Sequence, residues 1–337
     1  EIEKWHNEWN IDRKFLGLGF KAVFLKDKYV EHLGDNCSRM EGKRPNDGTT
    51  PDHYYPQELL KDRTYPKFDY LQWDKHWRHP HDITIVTAAI DIERQDRNFD
   101  NHYIKGLEKL LQSRHPIVLY TEPKNFDKLR EIRGDRPMIL KELTLHDIAK
   151  RFFFDKVQSI IFEPEWYNQH QWMENSPIRL PFYIPLTLMK QYLLDDSLKY
   201  FNSSHHYWID AGIFNSYNVE GEIDNYYFTK IPKDQFFITT FNHHTDTEVH
   251  GYNIHAMTKL CGKKPEYICR ATLFGGKKEV IQNMTKVYDE ELKSSLDKGN
   301  IGAEESIYTI LSHKYPELFQ CYKMPSGDIK NYLRTIQ

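Results

Sequence analysis

Cysteine is scarce in this chain of 337 residues. There are four, Cys37, Cys261, Cys269 and Cys321. No two of them form a C-x-x-C pair, which excludes zinc ribbons and thioredoxin-type motifs and makes a reducing compartment the simplest setting. Long apolar runs are also missing: none reaches the roughly 18 residues that a membrane helix needs. Charge of one sign is absent as well. The formal net charge is −3, so nothing requires nucleic acid or an anionic membrane as a partner. The opening Glu1-Ile2-Glu3-Lys4-Trp5 lacks a signal-peptide layout, and the expected location is cytoplasmic. No internal repeat or low-complexity tract is present.

What the chain has in quantity is aromatic surface. Phe, Trp and Tyr make up 14%, and 22 of them are tyrosines. Rings can stack on the C–H face of a sugar, although a tyrosine-rich core with wet hydroxyls accounts for the same composition. Trp166, Tyr167, Trp172 and Trp208 are candidates for either role, with packing favoured for each one singly.

Two regions differ in character. Residues 1–80 are polar, with turn signals clustered from Gly42 to Gly48 and prolines at 51, 56 and 66; they read as an extension or a linker from a preceding domain. A single α/β domain is expected over 81–337. It opens on the β-branched run Ile83-Thr84-Ile85-Val86-Thr87-Ala88-Ala89. A helical pattern follows over about 101–113, then a second apolar run, Ile117 to Tyr120. Strand, helix and strand in this order predict parallel strands whose ends face one crevice. Further along, the pattern predicts a strand near 137–141, a helix over 181–200, a strand at Trp208–Asp210 and strands near 235–241 and 267–274. Helices are expected over 279–296 and 303–313. A His-rich loop occupies 242–256.

Five places could carry chemistry. Asp210 follows a buried aromatic strand and precedes Ala211-Gly212, so it either caps a turn or holds a divalent cation against a phosphate. Leu273-Phe274-Gly275-Gly276 is expected to end a strand, with glycines that let a ligand approach the backbone. Glu304 and Glu305 start a helix, where acids suit the dipole, and could also supply a base or a charge-stabilising carboxylate. Arg270 could meet a phosphate or an acidic acceptor, or pair with a buried acid. His243, His244, Asp246, His250 and His255 form a histidine cluster that is either a solvated loop or a metal site, and the latter would suit a metallohydrolase.

In order and in detail the chain resembles the HtrL/YibB-like family, read as bacterial glycosyltransferases of the GT-A type. The resemblance covers about 82–322. It rests on Thr84-Ile85-Val86-Thr87-Ala88 with Asp91 and Arg94, on Ile132-Arg133, on Tyr183 and Lys190, and on Trp208-Ile209-Asp210-Ala211-Gly212-Ile213. Phe274-Gly275-Gly276 and Glu304-Glu305-Ser306 also look like the acceptor side of retaining transferases of the blood-group type. The resemblance implies a GT-A-like, Rossmann-type mixed sheet flanked by helices. It implies transfer of a sugar from a nucleotide donor, UDP-linked, to a glycan acceptor such as a surface polysaccharide or lipopolysaccharide precursor at the inner face of a membrane. Thr87, Ala88, Asp91, Arg94, Arg133 and Lys190 would bind the donor. Asp210, with His244 and His250, would hold Mn²⁺ or Mg²⁺. Glu305, with Glu304, would be catalytic, and Arg270, Gly275 and Gly276 would meet the acceptor. The chain departs from the GT-A pattern where the second acid of Asp-x-Asp is expected, because Gly212 cannot ligate. A catalytically degenerate module that binds a glycan or a partner is the alternative.

Overall fold

The β-branched opening run forms strand β1, Ile83–Ala89, with every residue but Ala88 buried. In this computed structural model the described residues are 83–323, apart from 114, 169–176, 214–233 and 243–247. The 1–80 extension therefore lies outside the described residues. After a one-turn π-helix, Phe99–Ile104, the short helix α1, Lys105–Leu110, packs Leu107 and Leu110 inward. Strand β2, Ile117–Thr121, pairs parallel with β1. Helix α2, Phe126–Arg133, leads to β3, Met138–Glu142, which is parallel to β2. This is the expected strand–helix–strand unit with parallel strands, repeated.

Three short helices follow: α3, Leu145–Ala149, α4, Phe154–Ile161, and α5, Pro164–Asn168. Thr144 and Asp147 close a capping box at the start of α3, which satisfies amides that would otherwise lack partners. Helix α6, Tyr183–Ser197, carries Pro185 in its first turn, where the N–H it lacks would have had no intrahelical acceptor. It leads to β4, His205–Ile209, parallel to β1 with Val86 opposite Trp208.

The second half builds the other side of the sheet. Strand β5 is Phe236–Asn242. A small antiparallel hairpin, β6 (Glu248–Val249) and β7 (Tyr252–Asn253), follows, with helix α7, Ile254–Cys261, after it. Strand β8, Tyr267–Lys277, runs antiparallel between β4 and β5. Helices α8, Lys278–Asp297, and α9, Glu304–Lys314, lead to the last strand, β9, Phe319–Lys323. The order is β3-β2-β1-β4-β8-β5-β9, seven strands. All run parallel except β8. A core with Leu107, Leu119, Leu129 and Tyr207 fills one face. A larger one, with Trp208, Phe274, Tyr288 and Tyr308, fills the other.

Strand β8 is irregular. Opposite β5, Phe274 pairs with Ile238 and Arg270 with Thr239, so Ala271, Thr272 and Leu273 form a three-residue bulge. A bulge releases main-chain groups from the ladder and re-aims its neighbours. Helix α9 meets main-chain amides in and just before the bulge. The Cys269 amide donates to Thr309 Oγ1 (2.9 Å) and the Ala271 amide to Glu305 Oε1 (3.0 Å). Glu305 and Thr309 are one turn apart on the same helix face. Buried from Glu304 through Ser312, α9 has no solvated side, as suits a helix against a sheet with α7 and α8 around it.

Candidate active site

The C-terminal ends of β1 and β4, the bulge in β8 and the start of α9 lie at one edge of the sheet. Asp210 leaves β4 there, its amide held by Thr272 O at 3.0 Å. Its side chain lies on the Trp208 face, two residues on, and Trp208 Nε1 donates to Asp210 Oδ1 at 2.7 Å. Lys190, from α6, reaches the same oxygen at 2.7 Å. It also lies 2.7 Å from Glu304 Oε1 and 3.2 Å from Ala271 O. An ammonium has three hydrogens, and here three oxygens surround it. Burial works against this charge, but Asp210 and Glu304 together hold the ammonium's pKa well above its ordinary value.

The neighbouring glutamates sit in opposite environments. Burial raises Glu304; Lys190 opposes the rise and Glu305 adds to it. Burial would raise Glu305 too. Against it, His250 lies 2.9 Å from Oε2 and Arg270 3.6 Å from Oε1, and together they hold this carboxyl far below its usual range. Two adjacent carboxyls pushed apart in this way are a common arrangement in sites that use an acid and an anion together. Tyr183 stands at the first position of α6. Burial pushes its hydroxyl up to about 12, with Glu304 and Glu305 adding to the shift. Arg94 lies over the Tyr183 ring at 5.4 Å.

His250 reaches Glu305 because its turn is docked on α9. The Ala303 amide donates to His250 O (2.7 Å) and Ser306 Oγ to Val249 O (2.8 Å). Gly302 packs so tightly that a Cβ would come 2.7 Å from both His250 O and Tyr252 N. The pair has a pH signature. Glu305 raises the pKa of His250 against the effect of burial, so His250 contributes stability below its unfolded value near 6.5 and loses it as pH rises through the higher folded value. Glu305 is depressed, so its contribution is present above about 4.5 and is lost on acidification. The pair is therefore fully stabilising between roughly pH 4.5 and 6.5. The gap in melting temperature between wild type and His250→Gln should shrink steadily from pH 6 to pH 9; a gap that stays constant would remove the charged His250 from this account.

The structure places the other expected residues variously. Ala88 shares the Trp208 face, packed against the larger core, whereas Thr87 is fully buried on the opposite face with Ile85 and Ala89. Asp91 accepts from the Glu93 amide at the end of β1 (2.9 Å). Arg94 is tied by two hydrogen bonds to Asp96, at 2.9 and 2.6 Å, and by a third to Tyr103.

Four expectations need correcting. Arg133 is 1% exposed and donates to the carbonyls of Leu111, Ser113, His115 and Pro137; it ties α2 to the segment between α1 and β2 and to the residue before β3, and cannot reach a diphosphate. Gly275 and Gly276 are interior to β8, opposite Tyr207 and His206. At about 3.4 Å per residue they lie roughly 10 Å or more along the strand from the Asp210 end, which removes them from the acceptor side. His250 faces Glu305 rather than a cation. Gly212 is filled by protein: a Cβ there would sit 2.8 Å from His102 Nε2. His244 lies outside the described residues. Trp166 and Trp208 are core rings at 6% and 2% exposure, and the Trp166 indole donates to Ile301 O.

These residues do not fit a divalent ion at Asp210. The oxygen pair that would ligate it, Asp210 Oδ1 with Glu304 Oε1, is bridged by the Lys190 ammonium, and Asp210 Oδ1 also accepts from Trp208. Among the described residues no group of three or more His, Cys, Asp or Glu side chains is arranged to hold a metal.

Comparison with known proteins now bears on the chain. A family model described as "Bacterial protein of unknown function (HtrL_YibB)" matches residues 81–335, most of the chain. The protein belongs to the HtrL/YibB family. No curated protein matches it. Among solved structures, this HtrL/YibB chain is similar to mouse xyloside xylosyltransferase 1 in its apo form. The identity is 11%, with 71% of this chain and 84% of that one covered and a TM-score of 0.37. It is also similar to core-mannan synthase A from Aspergillus fumigatus, solved with Mn and GDP. There the identity is 8%, with 72% of each chain covered and a TM-score of 0.42. No described helix of the HtrL/YibB chain is long and apolar enough to cross a membrane.

Proposed function

We propose that this protein is a nucleotide-sugar-dependent glycosyltransferase of the hexosyltransferase class, with a GT-A-like sheet. The observation that carries the reading is the pair Glu304 and Glu305 at one sheet edge, one raised and one depressed, beside Asp210 and Lys190. The bond between the anomeric carbon and the diphosphate oxygen breaks, and its electron pair leaves with the nucleoside diphosphate. The acceptor hydroxyl oxygen bonds to the anomeric carbon and gives up its proton to the departing oxygen or to a carboxylate. Glu305, kept anionic by His250 and Arg270, is suited to face the positive charge that develops at the anomeric carbon. Arg270, with its side chain 37% exposed, is the outward-facing cation of this edge. A UDP-linked donor, an acceptor among bacterial surface polysaccharide or lipopolysaccharide precursors, and a cytoplasmic site beside the membrane belong to this proposal.

A thermal-shift screen of nucleoside diphosphates and nucleotide-sugars, with chelator and with Mn²⁺, tests it. At a hundredfold excess over Kd a ligand stabilises by about 2.7 kcal/mol, which is roughly 5 °C or more for a domain of this size. No shift with any of them would count against a transferase. A second reading draws on Gly212 and on the fact that both Glu305 oxygens already have partners: a degenerate module that binds without turnover. Nucleotide binding with neither donor hydrolysis nor transfer would favour it.

A further inference from the structure

The Lys190 cage has the composition of a cation site. Asp210 Oδ1, Glu304 Oε1 and Ala271 O are three oxygens around one charge, at 2.7, 2.7 and 3.2 Å. Hard divalent cations take this kind of oxygen set. The side chains are enclosed: exposure is 13% for Lys190 and 3% for Glu304. The Trp208 ring lies 5.7 Å from the ammonium. Lys190 comes from the middle of α6, a helix packed on β1, β4, α8 and α9, so the ammonium is held by the fold and not by a mobile loop. The bulge in β8 supplies the third oxygen, since Ala271 has no partner opposite on β5.

We infer that Lys190 is the resident cation of this site, standing between Asp210 and Glu304 where a divalent metal would otherwise be held, so that the chain engages a nucleoside diphosphate without a metal ion. The absence of a second acid at Gly212 then follows. With a tethered ammonium balancing Asp210, a further carboxylate would bring an uncompensated negative charge to a site that must accept phosphate. All three hydrogens of the ammonium face protein oxygens. The diphosphate would therefore meet Arg270, whose side chain is 37% exposed, while Lys190 offsets one of the two acid charges beneath it.

This inference rests on the transferase reading for its ligand, but the ion can be measured separately. The probe is Mn²⁺ alone, followed by electron paramagnetic resonance in titrations of wild type, Lys190→Met, Lys190→Met/Asp210→Asn and Asp210→Asn. Wild type should take up no Mn²⁺ at about 1 mM. Lys190→Met, which removes a positive charge from between two carboxylates, should bind one Mn²⁺ at least about tenfold more tightly than wild type and be thermally stabilised by it. Adding Asp210→Asn should abolish that binding. One Mn²⁺ bound by wild type and lost in Asp210→Asn would overturn the inference, as would no gain in Lys190→Met. Should Lys190→Met fail to fold, the wild-type and Asp210→Asn titrations still decide. A nucleotide shift that requires Mn²⁺ would sink the resident cation alone. No nucleotide shift, with the Mn²⁺ results as expected, would sink the transferase reading alone.

Discussion

Glu305→Gln should fold and lose transfer by about 10²- to 10³-fold, a barrier increase of roughly 3–4 kcal/mol. The amide oxygen can still accept from the Ala271 amide, the contact that anchors α9 to the bulge. What disappears is the negative charge between His250 and Arg270. Those two cations would then repel each other, and His250 would titrate lower, because the carboxylate that raises it is gone. The measurement is kcat with a saturating nucleotide-sugar, beside a urea melt and a pH titration of His250. Transfer within a few-fold of wild type would remove Glu305 from the chemistry. Unchanged His250 titration would remove it from the electrostatics.

Gly275→Ala should be the most damaging single methyl in the described chain, at about 4 kcal/mol or more, a large share of the stability of an ordinary domain. An added Cβ would sit 2.1 Å from His206 O and 2.8 Å from Tyr207 Cα, both main-chain atoms of β4 that cannot rotate away. Its φ of +151° is also one that residues with a side chain rarely adopt. Gly262 is the control. It too has positive φ, +73°, in the left-handed region that ends α7, but nothing lies within 4 Å of a Cβ there, so Gly262→Ala should cost only about 1–2 kcal/mol. Urea midpoints of the two variants test the contrast; near-equal losses would mean that the strand pairing at Gly275 is wrong.

The fold was legible wherever residues repeat with a clear period. β1, β2, β4 and the helices at 183–197, 278–297 and 304–314 fall within a few residues of their expected bounds, because β-branched runs and helical apolar spacing act locally. The last strand and the 248–253 hairpin left no such trace. Phe319–Lys323 is half polar, and it is a strand because β5 offers it an open edge. The site was legible in its members but not in their partners. Asp210, Lys190, Glu304, Glu305, Arg270 and His250 could each be named from type and context. Nothing in the sequence shows that Lys190, twenty residues before Asp210, bridges it to Glu304, because that contact is made by helix packing. Arg133 shows the opposite error: an arginine in a family-like position reads as a phosphate ligand until four carbonyls are found around it. Gly275-Gly276 misled for a related reason, since close approach by a neighbouring strand leaves the same residues as close approach by a ligand.

The bulge in β8 also places part of the site beyond the reach of ordinary mutational scanning. The Ala271 N–H and C=O, one facing Glu305 and the other Lys190, belong to every residue that could replace alanine, save that proline would delete the first. A scan of 271–273 would report lost packing at Ala271 and Leu273, which are buried, and would leave these main-chain groups in place. Removing one residue from it would be felt throughout, because strand faces alternate and a shift of one would turn every later side chain of β8 to the opposite side of the sheet. What must be preserved in this segment, beside its packing, is the length of the chain, which no substitution alters, so among relatives a gap in an alignment at 271–273 would report on something that a substitution cannot.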